Sequence, residues 1–213
     1  MSKTRVLITT SLDGYVAGPN QSEDDPIGEG GMALHEWMFK LEAWRKAHGE
    51  EGGETNPSTE IVAELESGFG AVIMGRNMFG PIRGDWGDES WEGWWGDDPP
   101  YHVPVYVLTH HEREPVEKDG GTTFHFVTDG IEAAHEQALE ATGEKDIQIA
   151  GGAQAVQQYL AAGLIDEITL NVVPLMLGGG ERLLDNIGTN TNLEQLRAVE
   201  APGVAHLQYR VVK

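Results

Sequence analysis

The stretch Asp146–Leu160, DIQIAGGAQAVQQYL, joins an apolar run to a helix-like segment through two adjacent glycines. Ile147 to Ala150 has the character of a buried strand, and the apolar residues from Ala153 to Leu160 recur at helical spacing, so the junction reads as a strand feeding a helix. A junction of this kind brings free backbone N–H groups and the positive end of the helix dipole to the edge of a sheet, where they suit a phosphate. Glycines there let the backbone approach a ligand. A dinucleotide fingerprint needs G-x-G-x-x-G, and G-G-A-Q-A-V does not supply it. A tight strand-to-helix turn with no ligand is the other reading open at this point.

Working outward, strands and helices alternate. Val6–Thr10 is a run of β-formers that enters an Asp13-Gly14 turn, and Ala71–Met74 is a short strand that stops at Gly75. VPVYVLTHH (103–111) and TTFHFVTD (122–129) predict two more strands. GIEAAHEQALEATG (130–143) predicts an amphipathic helix closed by Gly143, and LIDEITLNVVPLML (164–177) predicts another strand. This order argues for an α/β sheet with many parallel neighbours, and VAHLQYRVVK (204–213) for a last, antiparallel strand. Residues 33–47 carry Leu34, Trp37, Met38, Leu41 and Trp44 at helical spacing and predict one helix, and NPSTEIVAELESG (56–68) predicts a short one with a Ser or Asn cap. Long loops are expected over about 19–31, 48–57 and 84–104, the last holding Trp86, Trp91, Trp94 and Trp95 among Gly, Asp and Pro. The 213 residues read as one domain, 1–213.

Composition removes several function classes. The chain has no cysteine, which rules out disulfides, thiolate metal sites and a cysteine nucleophile. Acidic residues outnumber basic ones 35 to 14 for a formal charge of −21, which disfavours nucleic acid and anionic membranes as partners. No stretch approaches the ~20 apolar residues of a membrane span, so a soluble, cytoplasmic protein with a small-molecule substrate is expected.

An anionic ligand must then be held by a local cluster of donors. Arg76 follows the strand end at Gly75, at the carboxyl edge of the sheet where open α/β folds bind ligands, and guanidinium pairs bidentately with phosphate; a solvated surface Arg is the plain alternative. Thr109, His110 and His111 lie at another strand end. No metal site is expected, because adjacent histidines in a strand face opposite ways and His35-Glu36 lacks the second His of H-E-x-x-H.

Taken in order, SLDGYVAGPN (11–20), LHEWMF (34–39), VIMGRNMFG (72–80), PVYVLTHH (104–111) and IAGGAQAVQQYLAAGLIDEITLNVVPLMLGGGERL (149–183) resemble the dihydrofolate-reductase-like superfamily. Within it they are most similar to the branch holding the reductase domain of the riboflavin-biosynthesis deaminase/reductase and its stand-alone relatives. The resemblance covers nearly the whole chain. It implies a mixed, mostly parallel sheet flanked by helices, a nicotinamide-dependent reductase, NADPH across the carboxyl ends of the strands, and a homodimer. By position it implies that Ala17 and Gly18 line the nicotinamide, and that Gly75, Arg76, Asn77 and Met78 meet the phosphates, with Arg76 reading the 2′-phosphate. Leu108, Thr109 and His110 would lie beside the adenine ribose. Gly151, Gly152, Ala153 and Gln154 match a turn that carries a cis Gly-Gly bond in the family.

At the substrate the chain departs from that pattern. Dihydrofolate reductases grip the pterin with a helix carboxylate, and LHEWMF puts His35 or Glu36 near that place. Either could assist the acceptor, His35 as a proton donor; each could equally be a solvent-facing residue at a helix start. Asp13 is a third candidate catalytic residue, through ordering the loop that lines the nicotinamide, or a plain turn former. The Trp-rich loop reads as a water-excluding lid or as aromatic packing at a subunit interface, with packing preferred. Apart from Arg83 there is no spare basic cluster for a sugar phosphate. An acceptor of pterin or pyrimidine type is therefore expected ahead of 5-amino-6-(5-phosphoribosylamino)uracil, with a non-catalytic NADPH-binding module as the remaining alternative.

Overall fold

The computed structural model describes residues 2–47, 49–66, 68–80, 84–87, 91–188 and 191–213. In chain order the elements are β1 (Thr4–Ser11), β2 (Tyr15–Ala17), α1 (Glu36–Phe39), α2 (Glu42–Ala47), α3 (Pro57–Glu66), β3 (Phe69–Gly75), α4 (Arg76–Phe79) and β4 (Pro104–Leu108). They continue with β5 (Val116–Glu117), β6 (Thr123–Val127), α5 (Ile131–Thr142), β7 (Asp146–Gly151), α6 (Ala153–Ala161), β8 (Glu167–Val173), β9 (Glu181–Arg182), β10 (Asn192–Ala201) and β11 (Val204–Val212).

Among the described residues a nine-stranded sheet runs β10-β11-β8-β1-β7-β3-β4-β6-β5. The strands from β8 to β6 pair in parallel, whereas β11, β10 and β5 are antiparallel additions at the two edges. This is the mixed, mostly parallel α/β sheet of a dihydrofolate-reductase-like domain.

The period-2 alternation of buried strands sorts their side chains onto two faces. Val6, Ile73, Ile147, Ile149 and Ile168 meet α5 and α6 through Ala134, Ala138, Val156 and Tyr159 in the main core. On the opposite face the cover is split. Toward β6, Phe79 and Trp86 pack on Val72, Met74, Val105 and Phe124. Toward β8, Leu34, Trp37 and Leu41 pack on Val173 and Val204, and Ile61 packs with Phe69 and Leu7. Between these two half-layers the sheet is left open over β1 and β7.

Two expectations change and one alternative is decided. The helix over 33–47 is broken into a 3-10 turn at Gly31–Leu34, α1 and α2. The break at Lys40–Glu42 follows from strand-like pairing with Glu54, which donates to the Lys40 carbonyl at 2.7 Å and accepts from Glu42 N–H at 3.0 Å. The loop at 48–57 thus takes the hydrogen bonds a continuous helix would have used. The strand expected over 164–177 ends at Val173, before Pro174, which has no N–H for a ladder. Finally, Asn56 is the cap of α3, its Oδ1 accepting from Ser58 N–H at 2.9 Å with Pro57 as first helical residue.

The rings of the Trp-rich loop pack within the domain: Trp86 and Trp91 lie edge-on against Phe79 at 5.8 and 5.9 Å, and Trp95, which with Trp94 lines the cavity described below, against Tyr101 at 5.0 Å. Trp94 and Trp95 both donate their indole N–H to the Met78 carbonyl, at 2.8 and 3.1 Å. Arg83 lies outside the described residues.

Candidate functional site

The gap between the half-layers is a cavity of about 1160 Å3. A single small-ligand pocket holds roughly 300–1,000 Å3, so there is room for two ligands side by side. The Gly151-Gly152 bond at its centre is cis, as the resemblance implied. Beyond it α6 begins without a side-chain cap, and the hydrogen bond across the junction runs from Val156 N–H to the Gly152 carbonyl. The N–H groups at the start of α6 are therefore available to an anion.

The two glycines have different roles. Gly151 has φ +130°, and an added Cβ would sit 3.4 Å from Ile8 and 3.5 Å from Met78. At Gly152, among the described residues and apart from its chain neighbours, nothing lies within 4 Å of such a Cβ. A methyl group at Gly152 would therefore point into open space of the cavity rather than against backbone. Gly152 lines the cavity with Ala153 and Gln154, while Gly151 lies behind it.

On the β3–β4–β6 side the wall includes Gly75, Arg76, Asn77, Met78, Leu108, Thr109 and His110, all anticipated from the sequence. The Arg76 guanidinium lies over the Trp86 ring, with its Cζ 3.8 Å from the centroid, and donates to the carbonyls of Gly84 and Asp85. Its buried Nε has no hydrogen-bond partner among the described residues. Burial, and then the nearby Arg113 charge, lower the Arg76 pKa, which leaves the guanidinium charged at neutral pH. Thr109 is buried, and its Oγ1 accepts from His111 N–H at 3.1 Å, shaping the turn that carries the exposed His110.

On the other side, Ala17 lines the cavity, but Gly18 supports it from behind: a Cβ there would overlap the Glu29 carbonyl. Asp13 does not reach the cavity either. Its carboxylate accepts from Ser11 Oγ at 2.6 Å, Gly178 N–H at 2.8 Å and Leu177 N–H at 3.1 Å, tying the loop after β1 to the loop after β8. The Ser11 hydroxyl, then the Gly178 and Leu177 amides, hold its pKa below the ordinary value despite the opposing effect of burial. Asp13 is a positioning residue.

His35 and Glu36 part company. His35 lines the cavity, and burial lowers its pKa, so the ring is neutral at pH 7. Glu36 is exposed and off the wall, as expected for adjacent residues near a helix start.

Sequence reasoning missed the sheet residues beneath this half. Thr9 (β1), Gln148 (β7) and Asn171 (β8) are polar side chains on the half-open face, and all three line the cavity. Their signal was readable: each interrupts an apolar strand, in LITTS, DIQIA and ITLNVV, at a position facing away from the main core. Among the described residues there is no group of three or more His, Cys, Asp or Glu able to hold a metal ion, and no helix is long and apolar enough to cross a membrane.

Comparison with known proteins agrees with this architecture. The RibD C-terminal domain family matches residues 3–207. The chain belongs to that family. A Bacillus subtilis (strain 168) relative, the uncharacterized protein YyaP, is 25% identical over 207 residues, covering 95% of this chain and 91% of its own. The crystal structure of a putative riboflavin biosynthesis protein from Shewanella sp. PV-4 superposes with a TM-score of 0.64 at 22% identity, over 99% of both chains. The diaminohydroxyphosphoribosylaminopyrimidine deaminase/5-amino-6-(5-phosphoribosylamino)uracil reductase of Thermotoga maritima gives a TM-score of 0.57 at 12% identity. That match covers 99% of this RibD C-terminal domain protein but 57% of the Thermotoga chain.

Proposed function

We propose that this chain is an NADPH-dependent reductase that passes hydride to a small heterocyclic or conjugated acceptor of pterin or pyrimidine type. Family membership supports an oxidoreductase, and solved relatives described as riboflavin-biosynthesis and uracil-reductase proteins support a pyrimidine-like acceptor. The observation that carries the reading is one cavity spanning both sides of the β7 carboxyl end, with an uncapped helix start and a bare Gly152 at its middle.

The residues present fit NADPH. Gly152, Ala153 and Gln154 would receive the pyrophosphate on backbone N–H groups, Arg76 the 2′-phosphate through the face Trp86 leaves free, and Leu108, Thr109 and His110 the adenosine. Ala17 would lie against the nicotinamide, which when bound supplies the hydride. The chain's own share is to align the acceptor and exclude water with Trp37, Met38 and Phe39. Reduction of a C=N or C=C bond also consumes a proton, and His35 is a titratable side chain on the acceptor wall able to donate or relay one.

A phosphoribosyl acceptor is the second reading, and the wall disfavours it: Arg76 is the one Lys or Arg among the described residues lining the cavity. The deciding experiment titrates NADPH and then follows loss of nicotinamide absorbance across pterins, pyrimidines and quinoid dyes. Turnover with a neutral ring supports the proposal; binding without oxidation across the panel favours a non-catalytic module.

A further inference from the structure

Thr9, Asn171 and His206 lie in one row across the sheet, because Thr9 pairs in register with Asn171 and His206 pairs with Asn171 from the other side. The row starts outside the sheet at Ser58 on α3, whose hydroxyl is 2.9 Å from His206 Nε2. His206 Nδ1 is 2.7 Å from Asn171 Oδ1, and Asn171 Nδ2 is 3.5 Å from Thr9 Oγ1. Ser58, His206 and Asn171 are all buried. A histidine this enclosed is held neutral, so it has one N–H and one bare nitrogen. Asn171 Oδ1 can only accept, so Nδ1 carries the hydrogen and donates it, and Nε2 accepts from the Ser58 hydroxyl. The Asn171 carbonyl is turned to His206, and its NH2 is turned to Thr9 and the cavity.

An NH2 group has two hydrogens, and the long contact to Thr9 uses at most one. The same half of the wall holds Trp37, 6% exposed, whose buried Nε1 has no hydrogen-bond partner among the described residues. Beside His35 and Gln148 that half is largely apolar, through Leu7, Met38, Phe39, Ile61 and Val62, and no Lys or Arg from β1, β8 or α1–α3 lines it. An anionic substituent would be stripped of water there with no Lys or Arg to pair it, whereas a flat neutral ring would lose little.

We propose that Asn171, locked by the Ser58–His206 relay, is the specificity determinant of the acceptor site, and that it donates to a ring carbonyl of an uncharged, unphosphorylated heterocycle. This deepens the reductase reading and rests on it for the word acceptor. His206 and Ser58 are positioning residues: His206 holds the Asn171 side chain, and Ser58 holds the His206 ring in place.

The test measures binding in the absence of nucleotide, so that it does not share the fate of the cofactor assignment. The probes are lumazine, a neutral ring dione, and 5-amino-6-ribosylaminouracil with and without its 5-phosphate. The full-length chain should bind lumazine and the unphosphorylated nucleoside at least as tightly as the phosphorylated one. Asn171→Ala and Asn171→Asp should each weaken lumazine by roughly tenfold, the size of one hydrogen bond, while NADPH affinity stays within about twofold of the parent. Ser58→Ala should weaken lumazine binding while leaving NADPH affinity unchanged, and Ser58→Thr should restore it. Tightest binding of the phosphorylated nucleoside, or unchanged lumazine affinity in folded Asn171 variants, would overturn the proposal. A parent chain that binds lumazine through Asn171 but does not bind NADPH would overturn the reductase reading and leave the neutral-ring site standing.

Discussion

The Arg76 guanidinium stacks on Trp86 with its Cζ 3.8 Å from the ring centroid, so a cation at the cavity wall is held by a ring from the loop that follows it. Stacking with two carbonyl contacts restricts a flexible side chain before any ligand arrives. Arg76→Ala is therefore expected to weaken NADPH by about 2 kcal/mol while hardly changing NADH. Trp86→Leu should produce a smaller loss with the same preference. Titration of both nucleotides checks this, and equal losses for the two would remove Arg76 from 2′-phosphate recognition.

His35 lies on the acceptor wall and Glu36 does not, so the two single variants should separate. His35→Ala is expected to lower turnover more than NADPH affinity, and Glu36→Ala to leave both near the parent. Because burial lowers the His35 pKa, the neutral ring predominates at pH 7 and the protonated donor grows only as pH falls. A proton delivered by His35 gives a kcat that rises toward acid in the parent and is flat in His35→Ala. Parallel profiles would assign the proton to water.

Legibility differed by element for physical reasons. The strands of the sheet interior and the Gly151-Gly152 junction could be read because burial on both faces leaves continuous apolar runs bounded by Gly. β10 could not: NLEQLRAVEA is an edge strand whose first residues, Asn192 to Leu196, are exposed, and its pairing with β11 is specified by partner rather than pattern. The β2–β9 pair is too short to show a period. The cavity wall at Gly75–Met78, Leu108–His110 and Gly152–Gln154 was anticipated almost residue by residue, since it is built from strand ends. Asn171 and Gln148 were passed over because they sit inside strands, where only knowledge of which face is uncovered separates a ligand contact from a satisfied core polar group.

The glycine pair offers a test of division of labour. Gly151 occupies a φ of +130° with Ile8 and Met78 against its missing side chain, and Gly151→Ala is expected to cost roughly 1–3 kcal/mol of stability. Gly152→Ala places its methyl in space free of protein, so its Tm should stay close to that of the parent while NADPH affinity falls at least tenfold. Thermal melts beside nucleotide titrations distinguish these effects. A Gly152→Ala protein that binds NADPH normally would show that the pyrophosphate does not approach this turn.

Self-association is expected, now on different grounds from the Trp-rich loop, whose rings are largely used internally. Leu12 is 66% exposed and Met176 is 70% exposed, on two loops joined by the Leu12 N–H to Leu175 carbonyl bond of 2.7 Å. Two large apolar side chains side by side in water fit an interface between copies. Sedimentation should show a dimer at micromolar concentration, and Leu12→Glu with Met176→Glu should shift it to the 23.2 kDa monomer. A monomer in the parent protein would end this proposal.

The buried relay makes stability pH-dependent with a definite sign. Burial, with a smaller contribution from Arg197, lowers the His206 pKa from 6.5 to about 4. Between those values the unfolded chain takes up a proton at this residue that the folded one refuses, so falling pH favours unfolding. The stabilisation is fully present above pH 6.5, is lost progressively as pH falls toward 4, and changes no further below that. A difference of that size is worth on the order of 3 kcal/mol. His206→Gln keeps a polar side chain of similar length but cannot titrate, so it should be less stable than the parent at pH 7 and should lose less stability between pH 6.5 and 4. Urea unfolding across that range measures the slope directly. Identical slopes for parent and variant would mean that His206 binds a proton in the folded state as readily as in the unfolded one, and that the neutral tautomer holding Asn171 is not enforced.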